Sequence, residues 1–276
     1  MNQTPSLWSI KELKTDVPRG NFRSAIFDFD GTISLIRQGW QQVMIPQFAE
    51  VLAAAPGGAD YDTEYENARN FIYRLTGKQT IFQCMELVEE VQKRGGTPQT
   101  AAEYKEEYLR RLMERIEYRR DGLRSGKLTP NDVEVPGALK FLQLLKERGV
   151  HMYLASGTDH PYVVEEAEML GVTSYFAGIF GAHDDYEHSS KEKVIQDVIR
   201  THKLAGDELV GFGDGYVEIE NVKDVGGFAV GVASDEEKRE GWDDWKVNRL
   251  AEVGAHIVIP DFTEAERLMA YLFPQN

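Results

Sequence analysis

An α/β fold, a doubly wound parallel sheet interrupted by a helical insertion, is predicted by three features of this 276-residue sequence. From about residue 134 to the end, short apolar runs alternate with stretches of helical periodicity, as successive βα units require. One further apolar run, residues 24–29, stands far upstream and ends in carboxylates and glycine, as a buried strand entering a loop does. Between them, residues 33–133 read almost entirely as helix.

The elements follow in order. Residues 1–20 form a polar lead-in, and SAIFDF at 24–29 is the first strand. Helical stretches are expected at 38–55, 65–75, 80–93 and 101–120. Pro136 opens a helix that Gly149 stops, and 150–155 follows as a strand. Helices at 161–170 and 191–202 alternate with strands at 176–180 and 209–212. Strands at 228–232 and 256–259 and a helix at 263–273 close the chain. In such a sheet functional residues gather at the carboxyl ends of the strands.

Composition narrows the function. Apolar residues make up 42% and charged residues 28%, and no apolar stretch reaches the roughly 20 residues of a membrane span. The amino terminus lacks the basic and apolar pattern of a secretory signal, and Cys84 is the single cysteine, so a cytoplasmic protein without an internal disulfide is expected. A net charge of -15 argues against nucleic acid and anionic membranes as partners. It also means that a phosphate ester would need a local positive field from a metal, a lysine and helix amino termini.

Chemistry concentrates first in Asp28-Phe29-Asp30-Gly31-Thr32. Two close carboxylates at a strand end suit a divalent ion, or a division of labour between nucleophile and general acid/base, and Gly31 permits a tight departure. A bare DxDG is often only a turn; the buried strand before it makes the functional reading stronger. Leu154-Ala155-Ser156-Gly157-Thr158 lies at a second strand end, where a hydroxyl and following amides can donate to phosphoryl oxygens. A polar turn with Asp159 capping the helix begun by Pro161 is compatible with that role. Thr76-Gly77-Lys78-Gln79-Thr80 is not a nucleotide-binding loop, because Ile72 and Gln79 stand where glycine and Ser/Thr are required. Gly211, Gly213 and Gly215 do not make a dinucleotide fingerprint, and Tyr61, Tyr65, Tyr73, Trp242 and Trp245 read as packing anchors.

With these motifs the chain resembles the haloacid dehalogenase superfamily, in its phosphatase branch with a helical cap (the phosphoglycolate phosphatase and β-phosphoglucomutase type). The resemblance covers 21–33 and 134–276. It implies a Rossmann-like core over those residues and a cap at 34–133, with Arg69, Arg74 and Lys78 as candidate substrate contacts or, equally, a solvated basic face. It implies Asp28 as nucleophile, Asp30 as general acid and then base, and Ser156 as the phosphate-binding hydroxyl. Thr32 and Gly157 join the phosphate contacts. Lys191, in Ser190-Lys191-Glu192-Lys193-Val194-Ile195, matches the family's basic residue better than Lys193, because Val194 and Ile195 then fill the following apolar positions. Asp214, in Gly211-Phe212-Gly213-Asp214, matches the metal-binding acid. Four residues on, Glu218 replaces the usual Asp, leaving direct ligation, ligation through water, or orientation of Lys191 open. Magnesium held by Asp28, the Asp30 carbonyl and Asp214 would suffice, since that ion takes oxygen ligands and keeps waters. The expected activity is magnesium-dependent hydrolysis of a small phosphorylated metabolite through an aspartyl-phosphate on Asp28. A sugar phosphomutase, or a non-catalytic binding protein of the same fold, is the alternative.

Overall fold

The computed structural model describes residues 8–14, 17–183, 191–204 and 206–274. The chain divides into two compact units, Gly39–Tyr118, and Met1–Gln38 together with Arg119–Asn276. Among the described residues no helix is long and apolar enough to cross a membrane.

The first of these units is helical: α1 Gln41–Ala53, α2 Tyr61–Leu75, α3 Thr80–Lys93 and the greater part of α4 Ala101–Ser125. Each helix buries one stripe. Ala68, Phe71, Ile72 and Leu75 of α2, and Ile81, Cys84, Leu87 and Val91 of α3, recur at the three- and four-residue steps of a single helix face. Tyr104, Tyr108, Leu112 and Ile116 do the same on α4, and the Phe48 and Phe71 rings stack at 5.9 Å. Asp60 caps α2 by accepting from Thr63 N at 3.1 Å. Glu64 is buried and accepts both arms of the Arg94 guanidinium, at 2.8 and 2.7 Å, with Ala59 N and Asn67 satisfying the carboxylate further. Cys84 is fully buried; burial pushes its thiol up to about 12, so it stays protonated.

The second unit carries a seven-stranded sheet. Its strands are β1 Lys11–Glu12, β2 Ser24–Phe27, β3 His151–Asp159, β4 Phe176–Ala182, β5 Leu209–Gly213, β6 Phe228–Val232 and β7 Ile257–Ile259, in the order β1-β7-β6-β5-β2-β3-β4. All neighbours pair in parallel except β1, which adds antiparallel to β7. The lead-in therefore contributes an edge strand that its polar sequence does not announce. Strands β2, β5, β6 and β7 are buried along their whole length, which is why they read as unbroken apolar runs. Helices α5 Pro130–Val133, α6 Ala138–Glu147, α7 His160–Met169, α8 Lys191–Thr201, α9 Tyr216–Asp224, α10 Asp244–Glu252 and α11 Ala265–Leu272 complete the unit.

Two helices, α9 and α10, lie where no helix is expected from sequence. The first begins directly after Gly215, close behind the strand expected at 209–212. The second buries only Lys246 and Leu250 and so has no apolar period. The expected division at residues 34 and 133 also differs from that of the compact units. Residues 34–38 and 119–133 group with the sheet, because Ser34 bridges both Asp30 and Glu134 and Leu35 N donates to Val133 O. Arg37 adds a buried two-armed bond to Glu166 of α7, at 3.0 and 2.8 Å.

Candidate functional site

The sheet reverses its winding at β2, which has β3 on one side and β5 on the other. Phe27 is in register with Leu154 on β3 and Phe212 on β5, so three chains leave the centre of the sheet side by side. Asp28 follows Phe27, Ser156 lies two residues beyond Leu154, and Asp214 two beyond Phe212. The register thus brings to one edge three residues separated by up to 186 positions in sequence. Helices α7 and α9 begin at this edge, and their amino termini carry partial positive charge there.

Asp28 is 5% exposed, its amide donates to Phe212 O at 2.9 Å, and its Oδ1 accepts from Phe29 N at 2.7 Å. Asp30 lies past the strand end, and its Oδ2 accepts from the Thr158 hydroxyl at 2.8 Å. Between them and the next turn, Gly31 has φ +76°. A Cβ there would overlap Asp214 Oδ2 and come within 3.0 Å of Glu236 Oε1, so the turn needs glycine for both its conformation and its room.

Ser156 is buried, and its Oγ accepts from Thr158 N at 3.0 Å, within the irregular last stretch of β3 ahead of α7. Gly157 lies in the same stretch, half-buried. Asp159 occupies the N-cap position of α7 without a side-chain capping bond, and the helix starts at His160, one residue before Pro161. His160 Nδ1 accepts from Gly181 N at 3.3 Å; burial, and then the neighbouring His183 ring, hold its imidazole below its ordinary value.

Thr32, expected among the phosphate contacts, has a fully buried side chain whose Oγ1 accepts from Asp214 N at 3.1 Å. That bond joins the loop after β2 to the loop after β5. Glu218 is fully buried in the first turn of α9, packed against Gly213, where a Cβ would stand 2.9 Å from its Oε2. Lys191 opens α8, but its side chain, like Ser190, lies outside the described residues. In the helical unit Arg69 pairs with Glu66 and Arg74 with Glu86, while the Lys78 ammonium lies 5.8 Å from the Phe82 ring. Tyr61 and Trp245, expected as packing anchors, are exposed.

Three residues at this edge were not found from sequence. Thr158 donates to Asp30, and its place inside the Ser156 motif is a signal that could have drawn notice. Glu236 and Lys246 carry no motif. Lys246 Nζ lies 2.9 Å from Asp214 Oδ2 and 2.6 Å from Glu236 Oε1, with a side chain 7% exposed. Burial by itself lowers a lysine's affinity for its proton, but the two carboxylates outweigh it and hold Lys246 above its ordinary value. Only the fold brings these residues from the β6–α10 loop and α10 to Asp214.

The donors suit a small hard cation. Asp28 and Asp214 offer carboxylate oxygens and Asp30 a carbonyl, and magnesium typically uses one or two carboxylates beside its waters and a substrate phosphate. Among the described residues no group of three or more His, Cys, Asp or Glu side chains is gathered as a metal cage. Such a cage is a requirement of other ions rather than of this one.

Comparisons with known proteins agree with the fold. A family model described as haloacid dehalogenase-like hydrolase matches residues 22–226. None of the curated proteins matches the chain. Solved structures give the same fold at low identity. A predicted phosphoglycolate phosphatase from Haemophilus somnus is 16% identical with a TM-score of 0.57, over 90% of this chain and 98% of that one. A β-phosphoglucomutase from Clostridium difficile is 15% identical with a TM-score of 0.60, over 90% and 96%. A predicted phosphatase from Clostridium acetobutylicum is 17% identical with a TM-score of 0.57, over 91% and 99%. With a family model spanning well over half of its length, from β2 through α9, the chain belongs to the haloacid dehalogenase-like hydrolases.

Proposed function

We propose that the protein is a magnesium-dependent phosphatase of a small phosphorylated metabolite, a sugar phosphate or acid phosphate, working through an aspartyl-phosphate on Asp28. The observation that carries this reading is the meeting of Asp28, Ser156 and Asp214 on three adjacent chains at one edge of the sheet, with Asp30 tied to Thr158 beside them.

In the first half-reaction an Asp28 oxygen attacks phosphorus and the bond to the ester oxygen breaks. Asp30, protonated, gives its proton to the departing oxygen, so the alcohol leaves neutral. In the second, Asp30 as carboxylate takes a proton from water, whose oxygen attacks the phosphoryl group and releases Asp28. The Ser156 hydroxyl and the amides that follow it, Gly157 included, donate to the phosphoryl oxygens, and the Lys191 ammonium supplies positive charge. Magnesium, held by Asp28, the Asp30 carbonyl and Asp214, supplies electrostatic stabilisation of the transferring group when bound. In this reading Thr32 and Glu218 act from behind the site, Thr32 by fixing the Asp214 loop.

Residues Gly39–Tyr118 are, in the same reading, the helical cap that restricts the site to small substrates and excludes bulk water. Arg69, Arg74 and Lys78 are its candidate specificity residues. The buried, protonated Cys84 and the absence of any disulfide requirement suit the reducing cytoplasm.

The test is phosphate release from a panel of small phosphorylated metabolites, with and without magnesium, by wild type and Asp28→Asn. Release by wild type alone, and only with the metal, is the expected result. Release that persists in Asp28→Asn overturns the nucleophile assignment. A requirement for a sugar bisphosphate, with isomerised sugar phosphate as product, would instead indicate a phosphomutase.

A further inference from the structure

Lys246 takes no part in the reaction above, yet the fold buries its ammonium between two carboxylates at the edge of the site. Its backbone is fixed as well as its tip: Asp243 caps α10 and accepts from Lys246 N at 3.0 Å, so the stem rises from the first, anchored turn. Glu236 approaches from the loop after β6 and accepts from the ammonium at 2.6 Å. The Asp214 and Glu236 carboxylates meet over Gly31, which has no side chain to keep them apart.

The consequence lies in how many oxygens the site can offer. Asp214 Oδ2 is engaged by the ammonium at 2.9 Å, and Glu236 is held by the same group. Asp214 is left with one oxygen to give to a metal. Magnesium needs little more, because it keeps several waters in a compact octahedral shell; calcium takes six to eight oxygens and readily accepts a carboxylate through both. Without the ammonium, two adjacent carboxylates would form an oxygen-rich, doubly negative corner that favours the larger ion.

We propose that Lys246, clamped by Glu236, is a positioning residue that keeps Asp214 a one-oxygen ligand and so biases the metal site toward magnesium over calcium. The inference rests on the reading that Asp214 ligates the metal.

The test is calorimetric titration of the metal-free, full-length protein with magnesium chloride and calcium chloride at fixed ionic strength, without substrate. Lys246→Met is expected to tighten calcium binding about tenfold more than magnesium binding, a difference of ~1.4 kcal/mol. Lys246→Arg, which keeps the charge, should stay close to the wild-type ratio. Glu236→Gln loosens the clamp while leaving Lys246 on Asp214, and should shift the ratio in the same direction by a smaller factor. If Lys246→Met does not fold, the Glu236→Gln ratio decides. An ion pair that serves stability alone would lower the thermal midpoint of these variants and leave the calcium-to-magnesium ratio at its wild-type value, which overturns the proposal. Absence of binding of either ion by wild type and variants also overturns it, together with the ligand role of Asp214. Failure of the phosphatase reading looks different: phosphate release is missing while the ion titrations keep their pattern.

Discussion

At the scale of single residues, the site depends on side chains that hold other side chains. In the proposed reaction Asp30 faces the departing oxygen in one half-reaction and water in the next, and its Oδ2 accepts from the Thr158 hydroxyl at 2.8 Å. A hydrogen bond to a charged group contributes about 1.5–3 kcal/mol. Thr158→Val is therefore expected to lower kcat by roughly 10- to 100-fold, with magnesium affinity unchanged, and Thr158→Ser to restore most of the loss. Steady-state kinetics of the two variants checks this, and equal losses in both would remove the hydroxyl from the account. The sequence disclosed Asp28, Asp30, Ser156 and Asp214 because each sits in a short motif at the end of an apolar strand. It was silent on Glu236 and Lys246, which take their place only through the three-dimensional path of the chain. Thr32 was legible as part of a motif but not in its geometry, since its hydroxyl turns inward to Asp214 N.

At the scale of elements, strands that are buried on both sides were legible as apolar runs, and β6 at Phe228–Val232 and α3 at Thr80–Lys93 fall where periodicity puts them. What periodicity could not show is an element with little to bury. Edge strand β1 is two residues long, and α10 has a single buried apolar side chain, Leu250. Elements can also be held by a buried ion pair that no pattern reveals, as α2 is held to the end of α3 by Glu64 and Arg94. The Arg94 guanidinium holds the Glu64 carboxyl at about 2, below its ordinary 4.5. A depressed carboxylate contributes stability that is present above pH 4.5 and is lost as the pH falls toward 2. Removing one partner of a buried pair costs about 3–5 kcal/mol. Glu64→Gln should thus destabilise the helical unit by about that amount at pH 7, and the gap from wild type should narrow as the pH falls below 4.5. Hydrogen exchange of α2 and α3 amides measures it; an exchange difference that does not change with pH would contradict the assigned pair.

At the scale of the whole molecule, the sequence divides its work between two compact units, and the division was legible as a change from alternating strand and helix to helix alone. The boundary itself was not, because residues 34–38 and 119–133 are tied to the sheet by backbone bonds and by Arg37 on Glu166, contacts that leave no mark in periodicity. The net charge of -15 makes an anionic ester an unfavourable partner at long range, so the proposed binding would rest on local positive groups at the strand ends. In the proposed function those ends form a phosphoryl-transfer site with Asp28 as the group that is modified. The most direct measurement is acid quench of the enzyme during turnover of a panel substrate, followed by mass spectrometry of the intact chain and its peptides. One added phosphoryl group is expected on the peptide containing Asp28 in wild type and none in Asp28→Asn. A phosphoryl group on another residue, or phosphate release in turnover with no modified enzyme under any quench condition, would contradict it.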